Sequence, residues 1–148
     1  MNKTKIEWTD YIKGWIEALI DGEGSLSLLK ERRPHFKAGV TFKPRLGIGN
    51  KDVKLLIHAK EIIGAGCIIG PNKKDFYNFD LSANGIRWLL PKIRLISKEE
   101  QRLLLLEALQ ILNRHAGRSI PRTDEELQRL EEICHLIRSK NGKKWNKK

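Results

Sequence analysis

Hydrophobic residues recur along this chain with two different periods, and the changes of period divide it into expected elements. Residues 10–20 carry apolar side chains three or four positions apart, which predicts a helix that Thr9 caps. Residues 25–31 and 36–50 instead alternate between apolar and polar side chains, which is the two-residue period of half-buried strands. Pro44 interrupts the second alternation, so we expect a sheet edge or a bulge there.

The same two patterns return in the second part of the chain. A helix capped by Asn50 or Asp52 and ended by Gly64 is expected over residues 51–63. The other expected elements are strands at 66–70 and 75–81, a helix from Ser82 that Pro91 ends or kinks, and amphipathic helices at 97–114 and 124–139. This order predicts an α+β domain with a four-stranded antiparallel sheet whose apolar face rests on helices.

Two capping boxes support the starts of the last two helices. Ser97 with Glu100, and Thr123 with Glu126, have the spacing in which each side chain can bond the other residue's backbone N–H. The apolar stripes of both helices predict that they belong to the core.

Length and charge narrow the classes of function. The 148 residues predict one domain over 1–148, with a core at about 8–113, a C-terminal helix at about 123–139 and a basic tail at 140–148. A formal net charge of +11 favours a polyanionic partner, above all nucleic acid. A membrane surface is the rival partner. No apolar run reaches about 18 residues and the polar start has no signal-peptide pattern, so we expect an intracellular protein without membrane contact.

Cysteine and histidine spacing predicts neither a zinc site nor a disulfide framework. Cys67 and Cys134 stand far apart in an expected strand and an expected helix, so we expect reduced, buried, structural thiols. The four histidines have no metal-ligand or nuclease spacing, which favours structural or solvent-facing positions.

The stretch from Trp15 to Ser25, WIEALIDGEGS, combines a helix, its expected end and a pair of carboxylates at that end, Asp21 and Glu23. Gly14 and Ala18 are four positions apart, and a glycine inside a helix is explained if another backbone approaches there. A second copy of the same helix is the natural neighbour, because a twofold contact uses one patch on both partners. Asp21 and Glu23 then lie at the helix end, among glycines that let the chain turn sharply. The alternative is an ordinary polar turn after a core helix.

The run from Ile16 to Gly24, IEALIDGEG, resembles the signature of the LAGLIDADG homing endonucleases. The match is specific over Ile-Asp-Gly-Glu-Gly and the following Ser25, whereas Glu17 and Ala18 stand at the family's usual Ala and Gly. The resemblance implies an αββαββα domain with additional C-terminal helices. It also implies that Glu23, with the backbone carbonyl of Gly22, binds a catalytic Mg²⁺, and that Mn²⁺ or Ca²⁺ can occupy the same sites.

The resemblance implies three further catalytic residues. The family uses a polar residue at the end of its long second strand, a basic residue just after it, and a lysine near the start of the helix after the second αββ unit. The matching positions here are Asn50, Lys54 and Lys98. Without the signature, these residues would be interpreted as a helix cap and two surface lysines.

Elementary physics supports the metal assignment. A carboxylate at the negative end of a helix is repelled unless a cation joins it. Magnesium binds through one or two carboxylates, water and phosphate. Two close-packed helices would bring two copies of Glu23 together, and metal-assisted phosphodiester hydrolysis becomes possible there.

The polar faces of the strands are expected to bind DNA. Residues 36–50 contain no acidic side chain, and a strand of that length spans on the order of 45 Å, comparable to a dozen base pairs. Asn78 and Asp80 share one strand face and can read adenine and cytosine edges, although such residues also occur on solvated faces. The expected DNA-binding residues are Ser25, Ser27, Arg32, Arg33, Lys37, Thr41, Lys43, Arg45, Ile69, Lys73, Lys74, Asn78, Asp80, Lys143 and Lys144.

One signature per chain implies half an active site. The resemblance therefore implies a homodimer, with Gly14, Ala18 and Asp21 at its interface, that cuts both strands of a partly palindromic DNA target and leaves short 3′ overhangs. A non-catalytic nucleic-acid binder on the same fold, such as an intron maturase or a transcription factor, is the alternative, and a maturase would also bind RNA. A ribosome-associated basic protein is a third possibility. The Asp21-Gly22-Glu23 run together with Lys98 favours the enzyme.

Overall fold

The helices and strands follow one another in the order that the sequence predicts. The computed structural model describes residues 6–35, 39–114 and 122–141. Within these ranges the elements are α1 (Asp10–Glu23), β1 (Gly24–Arg32), β2 (Val40–Asn50), α2 (Val53–Ile63), β3 (Cys67–Ile69), β4 (Tyr77–Leu81), α3 (Ala83–Leu89), a 3₁₀ turn (Leu90–Lys92), α4 (Glu99–Arg114) and α5 (Asp124–Asn141). The predicted α+β fold is confirmed.

The four strands form one antiparallel sheet in the order β1-β2-β4-β3. The β1–β2 register is unbroken from Gly24 opposite Ile48 to Arg32 opposite Val40. Pro44 keeps this register, so the bulge expected there is wrong. The edge alternative is right. Among the described strands, β4 pairs with β2 only from Leu46 onward, so at Pro44 strand β2 has β1 on one side and no strand on the other.

The end of α1 differs from the prediction. The helix continues to Glu23, and Gly24 passes directly into β1 with extended backbone (φ −82°, ψ 159°). The expected sharp glycine turn is therefore wrong. Gly24 is needed for another reason, since a Cβ there would lie 2.5 Å from the carbonyl oxygen of Ile20. The strand can follow the helix without a loop because this residue has no side chain.

The helix ends show which capping predictions hold. Thr9 caps α1 by accepting a hydrogen bond from Ile12 N–H, and Asp52, rather than Asn50, caps α2 by accepting one from Lys54 N–H. Gly64 ends α2 in the left-handed conformation (φ 78°).

The capping box of α5 is confirmed in both directions. Thr123 N–H donates to Glu126 Oε1 at 2.9 Å, and Glu126 N–H donates to Thr123 Oγ1 at 3.1 Å. Helix α4 begins at Glu99, two residues later than predicted. The backbone N–H of Ser97, which a capping box would pair with Glu100, donates to the carboxylate of Asp21.

The core lies between one face of the sheet and the helices. Its fully buried side chains include Ile16 and Ile20 of α1 and Leu46, Ile48 and Phe79 of the strands. Burying a side chain of this size contributes on the order of 2 kcal/mol, so the alternating pattern dictates which sheet face is covered.

Helix α5 packs along β1. Cys134 Sγ–H donates to the carbonyl oxygen of Leu28 at 3.1 Å, and Lys30 of β1 pairs with Glu131 at 2.7 Å.

Both cysteines are free thiols, but only Cys134 is buried. The expectation that Cys67 is buried is wrong, because its position opposite Asp80 places it on the uncovered sheet face. In the described ranges, no helix combines the length and apolarity needed to cross a bilayer.

Candidate nucleic-acid interface and metal site

The sheet face opposite the core, here called the open face, gathers the polar strand positions. Cross-strand pairing places Ser25 opposite Gly47 and Gly47 opposite Asp80, while Ser27 lies opposite Arg45. A depression in this face is lined by Glu23, Ser25, Ser27, Arg45, Gly47, Gly49, Ile69, Asn78 and Asp80. Six of these nine are among the residues expected to bind DNA, and Glu23 is the expected metal ligand. The structure therefore brings both sets to one surface.

Two glycines shape the floor of the depression. A Cβ on Gly49 would lie 2.4 Å from a ring carbon of Phe76, and one on Gly47 would lie 3.3 Å from Asp80 Oδ1. Both glycines thus make room for larger side chains on the open face. Sequence reasoning missed them and Phe76, although glycines at alternate strand positions are a signal of close approach.

The charged residues of the open face are partly paired. Arg45 approaches Asp80 Oδ1 at 3.8 Å, and both side chains are substantially exposed. Such a pair contributes little to stability but restricts the direction of the guanidinium. Thr41 and Lys43 continue the same face along β2, opposite Glu31 and Leu29. Acidic side chains on neighbouring strands therefore interrupt the basic track expected over residues 36–50.

Other expected DNA contacts lie at the ends of the sheet. Lys73 and Lys74 are exposed in the β3–β4 connection, where Asn72 Oδ1 accepts hydrogen bonds from two backbone N–H groups of the turn. Arg33 pairs with Glu31 at 2.9 Å. Arg32 has the same strand parity as the inward-facing Leu26 and Leu28, so it lies on the core side of the sheet and not on the open face. The expected contacts Lys37, Lys143 and Lys144 lie outside the described residues.

Asp21 joins the end of α1 to the start of α4. Its carboxylate accepts hydrogen bonds from the backbone N–H of Ile96 at 2.9 Å, Ser97 at 3.0 Å and Lys98 at 3.0 Å. Burial alone would raise the pKa of Asp21, but these bonds and the charge of Lys98 lower it below its usual value. The residue expected at a dimer interface therefore has a structural function within its own chain.

Lys98 is held at the same helix end. Its ammonium donates to the backbone carbonyl oxygen of Asp21, at the negative end of the α1 dipole and two positions from Glu23. Glu17, one turn earlier, accepts hydrogen bonds from Arg94 N–H at 2.7 Å and from Lys13 Nζ at 2.8 Å. Glu17 and Asp21 together anchor the segment 94–98, and sequence reasoning missed this function of Glu17.

Asn50 and Lys54 lie at the same end of the sheet as Glu23. Asn50 ends β2 two residues beyond Ile48, which pairs with the first residue of β1. Its side-chain oxygen accepts a hydrogen bond from Asp52 N–H at 2.8 Å, so it organises the entry to α2. Lys54 is exposed in the first turn of that helix.

The small-residue stripe of Gly14 and Ala18 on α1 is exposed in the described chain. Gly14 and Ala18 are exposed, and a Cβ added at Gly14 or Gly22 would meet nothing within 4 Å. Tyr11, one turn before Gly14, is 73% exposed. Nothing in the described chain covers this surface, which agrees with the interface expected there without testing it.

The donor atoms at the end of α1 suit a hard divalent cation. Glu23 supplies an exposed carboxylate and Gly22 a backbone carbonyl, and oxygen donors of this kind are those that Mg²⁺ prefers. The described residues contain no group of three or more His, Cys, Asp and Glu side chains positioned to hold a metal. The described residues thus offer only part of a coordination shell, and a cation bound there would need further ligands such as water or phosphate.

Comparison with solved structures identifies the fold. The archaeal intron-encoded homing endonuclease I-Vdi141I complexed with DNA matches at a TM-score of 0.79 and 23% identity, covering 94% of this chain and 89% of that one. The homing endonuclease I-CvuI in complex with the I-CreI target matches at 0.78 and 15% identity, covering 93% and 87%. The I-SmaMI LAGLIDADG homing endonuclease bound to cleaved DNA matches at 0.70 and 20% identity, covering 90% of this chain but 44% of that one.

The chain therefore has the fold of the LAGLIDADG homing endonucleases, as its sequence resemblance implied. No protein-family model matches the sequence, and no curated protein matches it either.

Proposed function

We propose that this protein is a site-specific homing endonuclease that makes a double-strand break in a long, partly palindromic DNA target as a homodimer. The whole chain, 1–148, acts as one domain. The observation that carries the proposal is that Glu23 ends α1 on the rim of the open face while Lys98 is bonded to the same helix end. An acidic residue that can bind a metal and a fixed cation next to a polar sheet face suit phosphodiester hydrolysis.

DNA binding is supported by the shape and charge of the open face. A two-stranded antiparallel ribbon such as β1–β2 fits the major groove, and Arg45, Lys43 and the turn lysines provide phosphate or base contacts along the face. Asn78 and Asp80 lie in the depression, where adenine and cytosine edges would approach. The similar structures I-Vdi141I and I-CvuI were solved in complex with DNA.

A homodimer is supported by the open stripe on α1. Gly14 and Ala18 allow a second α1 to approach closely, and the twofold contact places two Glu23 carboxylates side by side. This chain corresponds to less than half of I-SmaMI, as expected if two copies of it do the work of one longer chain.

The chemistry divides among few residues. A bound Mg²⁺, held by Glu23 and the Gly22 carbonyl, would lower the pKa of the attacking water and stabilise the leaving alkoxide. Lys98 neutralises charge that develops on the phosphate, and its bond to the Asp21 carbonyl fixes its position beforehand. Asn50 orients solvent and Lys54 adds positive charge at the same edge. Offset cuts on the two strands leave short 3′ overhangs.

The test is cleavage of a supercoiled plasmid library that carries randomised, partly palindromic inserts of about 24 base pairs. With Mg²⁺ we expect linear products whose sequenced ends share one motif and a short 3′ overhang, and with EDTA no linear product. If the protein binds the plasmids but gives no linear product with Mg²⁺ or Mn²⁺, the endonuclease proposal is wrong and the protein is a non-catalytic DNA binder. Parallel binding of a structured RNA would then identify a maturase-like activity.

A further inference from the structure

A second depression lies beside the open face, between the start of α4 and the end of α5. We call it the flank pocket. It is lined by Ser25, Ser97, Lys98, Gln101, Lys140 and Asn141. Ser25 also lines the depression of the open face, so the two surfaces are continuous. The pocket is therefore placed where the backbone of DNA lying on the open face would pass.

The end of α5 is fixed at this pocket by three contacts to two other elements, β1 and α4. Asn141 Nδ2 donates to the carbonyl oxygen of Leu26 in β1 at 2.7 Å, and Gln101 Nε2 of α4 lies 3.4 Å from Asn141 Oδ1. Gln101 is only 6% exposed, so it is a rigid support. Lys140 forms an ion pair with Glu100 of α4. These contacts place the last turn of α5 against the strand that carries Ser25.

The charge of the pocket suits an anion. Two lysine ammonium groups, Lys98 and Lys140, belong to its lining, and the lining includes no carboxylate. Glu100 pairs with Lys140 from outside, with 73% of its side chain exposed. A solvent-exposed ion pair of this kind contributes little, so a phosphate can replace Glu100 as the partner of Lys140 at small cost. The neighbouring Ser25 and Ser97 hydroxyls and the Asn141 amide are further donors.

We propose that the flank pocket binds a backbone phosphate of DNA through Lys140, with Lys98 and Ser25 as neighbours, next to the phosphate that is cut. This inference rests on the proposed function, because it adds a phosphate site to the same DNA surface. It gives α5 a direct function in binding, beyond its packing on β1. Continuity with the open face favours a phosphate within a duplex over free phosphate.

The test measures how four variants of the full chain bind a 30-base-pair duplex of mixed sequence at several KCl concentrations. Lys140→Gln should weaken binding several-fold and reduce the salt slope by about 0.9, the value for one phosphate contact. Lys140→Arg should retain the slope. Lys60→Gln, which removes the same charge at the exposed end of α2, should leave it unchanged. Glu100→Gln frees Lys140 and should bind DNA at least as tightly as the wild type.

The outcomes separate this proposal from the proposed function. If Lys140→Gln and Lys60→Gln show the same slope as the wild type, the pocket does not hold a DNA phosphate, although DNA binding stands. If the wild type itself shows no salt-dependent duplex binding, the proposed function fails. Inorganic phosphate, titrated without DNA at constant ionic strength, should not shift the melting temperature. A shift that Lys140→Gln abolishes would assign the pocket to a free anion instead.

Discussion

Asp21 and Lys98, 77 positions apart in sequence, bond to each other twice. The Asp21 carboxylate accepts a hydrogen bond from Lys98 N–H at 3.0 Å, while the Lys98 ammonium donates to the Asp21 carbonyl. The same carboxylate also accepts from Ile96 and Ser97, in the manner of a helix cap supplied by another element. One aspartate thus ties α1 to α4 and determines where the proposed catalytic lysine lies relative to Glu23.

Replacing Asp21 by Asn should weaken both the fold and cleavage. The neutral amide loses charge-assisted bonds and presents an NH₂ group to backbone donors, so we expect a loss of about 1–3 kcal/mol in the free energy of unfolding. Because the backbone N–H of Lys98 then loses its carboxylate partner, the position of Lys98 is less fixed, and single-turnover cleavage should fall more than DNA affinity. Urea unfolding and cleavage kinetics measure the two effects. The control Asp75→Asn keeps a residue suited to positive φ (58°) and should leave stability unchanged.

Acid should destabilise the fold through Glu99. The Arg102 guanidinium, which is buried, donates to both carboxylate oxygens at 2.7 Å and lowers the pKa of Glu99 to about 2 from its usual value of 4.5. The folded pKa is the lower one, so this stabilisation is present above pH 4.5 and is lost as the pH falls toward 2. It amounts to on the order of 2–3 kcal/mol.

Glu99→Gln should be less stable than the wild type at pH 6, and the difference should shrink as the pH falls from 5 to 2.5. Urea unfolding at a series of pH values measures it. Asp21→Asn should show the same trend, because the pKa of Asp21 is also lowered. A difference between Glu99→Gln and wild type that is constant over this pH range would contradict the ion-pair account.

Replacing Gly24 or Gly22 by alanine should have different effects on the free energy of unfolding. A methyl group at Gly24 would collide with the Ile20 carbonyl, so Gly24→Ala should lower the free energy of unfolding by about 2 kcal/mol or more. Gly22 lies in a helix with open space around its Cβ position, so Gly22→Ala should be neutral or raise stability by up to about 1 kcal/mol. Thermal unfolding of both variants, measured at equal protein concentration, distinguishes a tight helix–strand junction from a flexible one.

Leucine at Ala18 should separate folding from dimer formation. Ala18 is exposed in the protomer, so Ala18→Leu should fold normally, yet it should prevent two α1 helices from packing closely. We expect a monomer by light scattering and loss of double-strand cleavage. Gln110→Leu, at an exposed position of α4, is the matched control and should keep the wild-type mass and activity. If Ala18→Leu still forms the wild-type dimer, the interface does not lie at the Gly14–Ala18 surface of α1.

Local patterns were sufficient to predict the elements and the faces of the strands. The alternation through Phe42, Leu46 and Ile48 identified the buried side of β2, and the Thr123–Glu126 spacing identified the start of α5. These features depend on neighbours within a few residues, so the sequence carries them directly. Periodicity alone is compatible with several α+β arrangements of these elements. The family resemblance identified which of them the chain adopts.

The contacts that position the candidate site could not be predicted from local sequence patterns. Asp21 meets Ile96 across 75 positions, and Asn141 meets Leu26 across 115, so their partners follow only from the packed fold. For the same reason the intrachain bonds of Asp21 were not predicted, and Lys140 was assigned to a tail although it lies in α5. Cys67 was misassigned because a three-residue strand is too short to show which side faces the core.

The most direct test of the account is the effect of Glu23→Gln on a target recovered from the plasmid library. Binding, measured with Ca²⁺ in place of Mg²⁺, should stay within about threefold of the wild type, because a neutral side chain repels phosphate less. Cleavage in Mg²⁺ should fall by more than about 100-fold, because the proposed metal ligand is gone. Cleavage by Glu23→Gln at the wild-type rate would contradict the metal site at the end of α1, because the hydrolysis would then not depend on this carboxylate.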